Sequence, residues 1–176
     1  MAADVRIAAI VTWFHPDSAG VDTGGAVNTL TAIHPTPISN VFRLLKDLRQ
    51  RLNMAMVLIT HDMGVVAGSA DRIAVMYAAR AAEYGPVEKV LVEPRHPYTI
   101  GLINAIPRRE DPIGSKFRGL PGVPPNLGGP IRGCAFAPRC EFAVEDCTAR
   151  RPALLPTADG SVLAACPVIN HRKAAA

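Results

Sequence analysis

From Val41 onward apolar residues recur at helical intervals: Val41, Leu44, Leu45, Leu48 and Leu52, with Lys46, Asp47, Arg49 and Gln50 between them. The spacing predicts an amphipathic helix over 41–52 with one buried face. Residues 56–60, "MVLIT", form an apolar run of the kind expected in a strand covered on both faces. Residues 63–70 then read as a short helix capped by Asp62. "DRIAVM" is a further strand, and "ARAAEYG" can pair back on it through a turn at Ala78 and Ala79. Two short helices follow: one starts at Pro86 and stops at Pro94, the other starts near Pro97 and stops at Pro107. Tyr98, Leu102, Ile103 and Ile106 mark the second at helical spacing.

The flanks differ. Residues 1–40 are rich in Ala, Thr, Gly and Pro and poor in periodicity; short apolar runs there can form a strand, but no chemistry attaches to them. Residues 107–133 hold six Pro and six Gly, which predicts an irregular extended linker. A cysteine-bearing segment occupies 134–167, and the closing "NHRKAAA" reads as a frayed tail. The chain shows no internal repeats.

Composition narrows the class. At 176 residues and 49% apolar content, the chain can form one domain with a real core, or a domain plus an appendage. The net charge of +4 comes from residues 95–151. With only 5% aromatic residues and no basic run, a nucleic-acid partner is not expected. "RIAAIVTWF" is too short to span a bilayer and lacks the layout of a signal peptide. Direct membrane insertion is therefore not expected. The default compartment is the cytosol, where stable disulfides are rare.

His61 follows the apolar strand directly. In open parallel sheets ligands bind at the C-terminal strand edge, and a histidine there can donate to a phosphate or orient a water. A strand-end histidine bonded to backbone is the plainer alternative. The run from Leu44 to Thr99 resembles the end of the nucleotide-binding domain of ATP-binding-cassette transporters. "LITHD" matches that family's H-loop, which implies that His61 is the switch histidine contacting the ATP γ-phosphate, with Asp62 as a cap. Ala79 departs from the pattern, since the family usually has a turn Gly there; an Ala at positive φ costs about 1 kcal/mol. "PRHPYTIGLINAIP", the linker with "LPGVPPNL" and the cysteines resemble the C-terminal extension of oligopeptide/dipeptide importer ATPase subunits. The resemblance runs from about Val41 to Pro167.

Much of an ATP site is missing from the sequence. No G-x-x-x-x-G-K-[ST] loop, no LSGGQ-like signature and no apolar strand ending in Asp-Glu occur in it. "IHPTPISN" only faintly echoes the family's "DEPT-x-ALD", with His34 where the catalytic Glu belongs. The 176 residues alone are expected neither to bind ATP strongly nor to hydrolyse it. Without the strand that leads into the Gly-rich loop, "MVLIT" is expected to lack its neighbours and to expose a sheet edge.

Cys134, Cys140, Cys147 and Cys166 have spacing C-x5-C-x6-C-x18-C. By spacing alone, unmetallated thiols, a zinc site and an iron–sulfur cluster all stay open. Zinc favours closer C-x2–4-C pairs, whereas a cluster tolerates longer spacing. The resemblance implies a 4Fe–4S cluster on these four positions, with zinc as the alternative. Phe136 reads as a packing residue. Arg139, Arg150 and Arg151 could offset cluster charge or could form a solvated surface. A Pro-rich segment with little core would draw folding free energy from such ligation, which points to a structural or redox-sensing role.

The sequence thus predicts an α/β fold: the C-terminal half of an incomplete P-loop NTPase of the ABC ATPase type, with a Pro/Gly-rich, cysteine-bearing extension. The expected organisation is a non-matching segment 1–40, a nucleotide-binding part 41–94 and the extension 95–176. The resemblance implies a fragment of an ATP-binding subunit that uses ATP and Mg to drive di- or oligopeptide import. It would work with a second ATPase subunit and two transmembrane permease subunits on the cytoplasmic face of the membrane. A stand-alone metal-binding interaction module and a gene remnant without function are the competing readings.

Overall fold

The computed structural model describes residues 7–12, 35–52, 55–107, 111–112 and 119–168. Among them six strands form one sheet of order β2-β1-β3-β4-β6-β5. The strands are β1 (Ile7–Thr12), β2 (Met56–Thr60), β3 (Arg72–Tyr77), β4 (Arg80–Pro86), β5 (Leu155–Pro156) and β6 (Leu163–Ala164). The helices are α1 (Pro35–Leu52), α2 (Met63–Ser69), α3 (Val87–Val92), α4 (Pro97–Asn104) and α5 (Glu145–Ala149). The fold is α/β, with a parallel half and an antiparallel half.

In the parallel half β1 lies between β2 and β3, with Val11 opposite Thr60 and Thr12 opposite Met76. Parallel neighbours cannot be joined by a tight turn, and α1 and α2 lie in the two connections. The expectation that "MVLIT" lacks neighbours is therefore corrected. A strand from the aperiodic N-terminal segment pairs along its whole length, and only its other edge stays open.

The antiparallel half starts at the β3–β4 hairpin, whose turn residues Ala78 and Ala79 have φ of 49° and 61°. Both, not Ala79 alone, adopt the left-handed conformation that a two-residue hairpin turn requires. β6 then pairs with β4 by placing Ala164 opposite Glu83 and Leu163 opposite Tyr84. The sheet thus crosses the expected boundary at residue 94. So does the core, in which Val66, Ile73, Val75, Tyr98, Phe136 and Val162 pack together.

The helix and strand assignments need two corrections. α1 starts at Pro35, with Pro35 and Pro37 tolerated where helix N–H groups lack partners anyway. Its apolar face is not buried: Val41, Leu44 and Leu52 are exposed. β2 is not covered on both faces either. Leu58 turns into the core, while Val57 and Ile59 point the other way and are exposed. The cause is one-sided packing: α2, α3 and α4 all contribute to the core with Ile73 and Val75. Arg49 of α1 pairs with Asp71, at the start of β3, at 3.1 Å.

Candidate functional site

His61 sits in a turn fixed by its two neighbours. The backbone N–H of Asp62 donates to Thr60 Oγ1 at 3.0 Å. Asp62 Oδ1 in turn accepts from the N–H groups of Gly64 and Val65 at 2.8 and 3.1 Å, which starts α2. The predicted cap is therefore present, and its occupied oxygen makes Asp62 a structural group. His61 is exposed just past the end of β2. Because Thr60 pairs with Val11 and Thr12 with Met76, the carboxyl ends of β1, β2 and β3 bring Thr12, His61 and Tyr77 to one edge. The strand order 2-1-3 makes this a topological switch point, the usual ligand crevice of open α/β sheets.

The four cysteines gather at the other half of the molecule, and none forms a disulfide. The N–H of Cys134 donates to the Cys147 carbonyl at 2.7 Å. A 3-10 turn at Ala137–Arg139 carries the chain to Cys140. Cys147 lies on α5, and Cys166 follows β6; both are buried. Burial pushes the Cys134 and Cys140 thiols up. Backbone N–H groups oppose this, and neighbouring thiols reinforce it: Cys147 acts on Cys134, while Cys166, Cys134 and Cys147 act on Cys140. The fold thus gathers all four around Cys140. Among the described residues, however, no group of three His, Cys, Asp or Glu is spaced to hold a metal ion.

Arg139 is held by three neutral acceptors. Its guanidinium donates to the carbonyls of Pro121 and Leu120 at 2.7 and 3.1 Å and to the Tyr77 hydroxyl at 3.3 Å. It also stands 5.9 Å from the centre of the Phe136 ring. Arg139 therefore pins the linker to the hairpin, and Arg150 pairs with Asp146 at 2.9 Å. Phe136 packs as expected: it is buried edge-on against Tyr77, with ring centres 5.4 Å apart.

Two buried polar residues escaped the sequence reading. Glu83 on β4 accepts the backbone N–H of Arg95 at 2.7 Å and of His96 at 2.9 Å. Burial pushes its carboxyl up, against those two donors. His96 caps α4, its Nδ1 accepting the Tyr98 N–H at 3.1 Å, and burial lowers its pKa to about 4. The pair of Pro-bounded helices around "RHP" was the only available signal. Beside His96, a cleft of about 300 Å³ opens between the hairpin tip and the cysteine segment, reaching Cys134 and Arg151.

Residues 82–147 match the family model for the oligopeptide/dipeptide transporter, C-terminal region. The match takes in Cys134, Cys140 and Cys147 and leaves His61 and Cys166 outside. The chain is 47% identical over 117 residues to the oligopeptide transport ATP-binding protein OppD of Haemophilus influenzae, covering 66% of this chain and 36% of the relative. The Salmonella typhimurium OppD is 46% identical over 122 residues, covering 69% and 36%. The Escherichia coli OppD is 45% identical over the same length, covering 69% and 36%. Over the matched residues the chain is thus similar to transporter ATP-binding proteins. More narrowly, the chain corresponds to the C-terminal part of the ATP-binding proteins of oligopeptide importers. It spans little more than a third of the length of these relatives.

Proposed function

We propose that the chain forms the C-terminal part of an ATP-binding subunit that powers import of di- or oligopeptides. The observation that carries this is the braced turn holding His61 exposed beyond the end of β2, at the switch point of the parallel strands. There His61 acts as the γ-phosphate contact: its imidazole N–H donates to a phosphate oxygen, sensing whether the terminal phosphate is present. The Gly-rich loop, the signature sequence and the magnesium and catalytic carboxylates belong to the remainder of an incomplete P-loop NTPase. Residues 41–94 serve the nucleotide side and 95–176 form the extension. The assembled importer pairs this subunit with a second ATPase subunit and two transmembrane permease subunits, on the cytoplasmic face. Among the described residues, no helix is long and apolar enough to cross a membrane.

The finer reading gives the extension a 4Fe–4S cluster on Cys134, Cys140, Cys147 and Cys166. Cys134, Cys147 and Cys166 all act on Cys140, and four such sulfurs, once ionised, suit a cationic inorganic core. Zinc on the same four thiolates, with Zn–S bonds of about 2.3 Å, is the alternative. The cluster would supply structural bonds and redox sensing. The protein would supply four thiolates, which must first release protons that burial retains. Anaerobic reconstitution should give a brown protein with iron and sulfide in cluster stoichiometry. Colourless protein with stoichiometric zinc would overturn it.

The test of function is a chimera in which the matching segment of the Haemophilus influenzae OppD is replaced by the corresponding segment of this chain. It should turn over ATP with magnesium and support peptide uptake. His61→Ala should slow turnover by about a hundredfold, as for loss of a donor to developing charge. A chimera that binds ATP but is indifferent to His61 would refute the reading.

A further inference from the structure

We infer that the cleft beside His96 binds a small organic anion: a carboxylate or phosphate head group on an apolar or aromatic body. The cleft lies between the tip of the β3–β4 hairpin and the cysteine segment and has a volume of about 300 Å³. That is the lower end of the range for small-molecule sites, which favour junctions between two parts of a fold. The size suits one aromatic ring and its head group.

The charge of the lining is one-sided. Arg80, at the start of β4, and Arg151, just after α5, both line the cleft and are exposed. Among the described residues neither guanidinium has a hydrogen-bond or ion-pair partner. Their neighbours differ: Arg150 pairs with Asp146, and Arg139 is held by Pro121, Leu120 and Tyr77. No Asp, Glu or Lys is among the described residues that line the cleft. His96 adds no charge: its Nδ1 accepts the Tyr98 N–H, it also bonds to the Ala165 backbone, and burial lowers its pKa to about 4. Burial likewise keeps the Cys134 thiol protonated. The cleft therefore presents two cations with no anion of its own, and guanidinium groups match the oxygens of a carboxylate or phosphate.

The rest of the lining is largely apolar and held in place. Phe136 is buried edge-on to Tyr77, with its ring centre 5.5 Å from that of Tyr98. The Tyr77 hydroxyl is in turn bonded by Arg139 at 3.3 Å. Pro152 and Leu154 come from the segment that leads into β5, and the turn residues Ala78 and Ala79 also line the space. A wall fixed before a ligand arrives loses little freedom on binding. Its apolar character favours an anion with a body to bury over a bare inorganic ion. Because Arg80 belongs to the hairpin and Arg151 to the extension, a bound anion bridges the two and stabilises their docking. His61 does not line the cleft, so the inference is independent of the nucleotide role.

The test is titration calorimetry on the anaerobically purified chain with 3-phenylpropionate, phenyl phosphate, the neutral 3-phenylpropionamide and inorganic phosphate. One organic anion per chain should bind, more weakly as salt rises. The amide and inorganic phosphate should each bind about tenfold or more weaker, and the tighter of the two organic anions identifies the head group. Arg80→Gln or Arg151→Gln should weaken binding by about three- to tenfold, and the two together by more than about tenfold. Arg132→Gln, on an exposed linker residue outside the cleft, should leave it unchanged. Ala153→Phe, which adds bulk to the lining and keeps both arginines, should abolish it. In the chimera the same anion should raise the unfolding midpoint, and Arg151→Gln should remove most of that rise. Absence of saturable binding, equal affinity for the amide, or binding that survives the double substitution would overturn the proposal. So would an Arg151→Gln protein that loses iron on reconstitution but keeps its affinity for the anion, because the arginine would then serve the cysteines.

Discussion

Glu83 joins the two parts of the chain, and replacing it should measure how strongly they are joined. The side chain is fully buried, and its two oxygens take one backbone N–H each, from Arg95 and His96, at the entry to α4. Glu83→Gln keeps the shape and one acceptor oxygen but turns an amide N–H₂ toward the other donor. One charge-assisted bond is lost and one buried N–H is left without a partner, which costs about 1–3 kcal/mol. Relief of the buried charge offsets part of this. The expected net loss is about 1–2 kcal/mol, or about 2–8 °C in melting temperature for a chain of this size. Glu83→Ala strands both donors and leaves a cavity, so it should cost about 3–5 kcal/mol.

The assay is urea unfolding followed by circular dichroism, with an unchanged denaturant slope as the sign that only stability moved. The pH dependence is a second check. Burial raises the folded-state pKa of Glu83 above its ordinary value of 4.5. The proton-linked part of its contribution to stability is thus fully present below that value and is lost as pH rises through the folded pKa, which leaves the two N–H contacts to the carboxylate. The glutamine variant should lack this component. A Glu83→Gln protein as stable as the parent at neutral pH would refute the reasoning, because the two backbone donors would then not depend on the carboxylate.

Three further outcomes follow from single contacts. Gly133→Ala would push a Cβ to 2.6 Å from the Thr148 carbonyl oxygen and nearer still to that of Cys147. Backbone cannot swing aside, so a loss of about 1–3 kcal/mol and faster labelling of Cys147 by a thiol reagent are expected. Ala79→Gly relieves a φ of 61° and should raise the urea midpoint by the equivalent of about 0.5–1 kcal/mol, net of the extra freedom glycine gives the unfolded chain. His96 has its pKa lowered to about 4 from 6.5 by burial, so its contribution is complete above 6.5 and falls away toward 4 as the unfolded state takes up the proton. Through that window the parent should lose about 1.4 kcal/mol per pH unit relative to His96→Gln, as measured by unfolding at several pH values.

Features set by near neighbours were legible in the sequence. Asp62 as a cap, Pro97 at the start of α4 and the Ala78–Ala79 turn all depend on residues within one turn of chain. A strand within residues 1–40 was legible as an apolar run, but the pairing of β1 was not, because parallel pairing joins Ile7 to Met56 across a long connection and leaves no local mark. The apolar spacing of α1 showed which side is apolar but not whether anything covers it. Glu83 and His96 satisfy backbone N–H groups, which carry no residue identity, so their burial left no pattern to read. Arg139 could be placed near the cysteines from sequence, but its commitment to Tyr77, Leu120 and Pro121 depends on where the linker folds back.

The contrast between the two halves of the sheet has an energetic consequence. Val66, Val75, Val90 and Tyr98 are buried to the last few per cent, and Phe136 and Val162 from the extension close over the same core. The antiparallel half is thus stabilised largely by its own packing, and β4, β6 and the cysteine segment should open together, as one cooperative unit. β2 and α1 instead expose the apolar residues that would stabilise them, at about 25 cal/mol for each Å² left in water. Packing therefore stabilises them less than it does the antiparallel half. β2 is less self-sufficient than β3 and β4, because Val57 and Ile59 add nothing to the packing of the core.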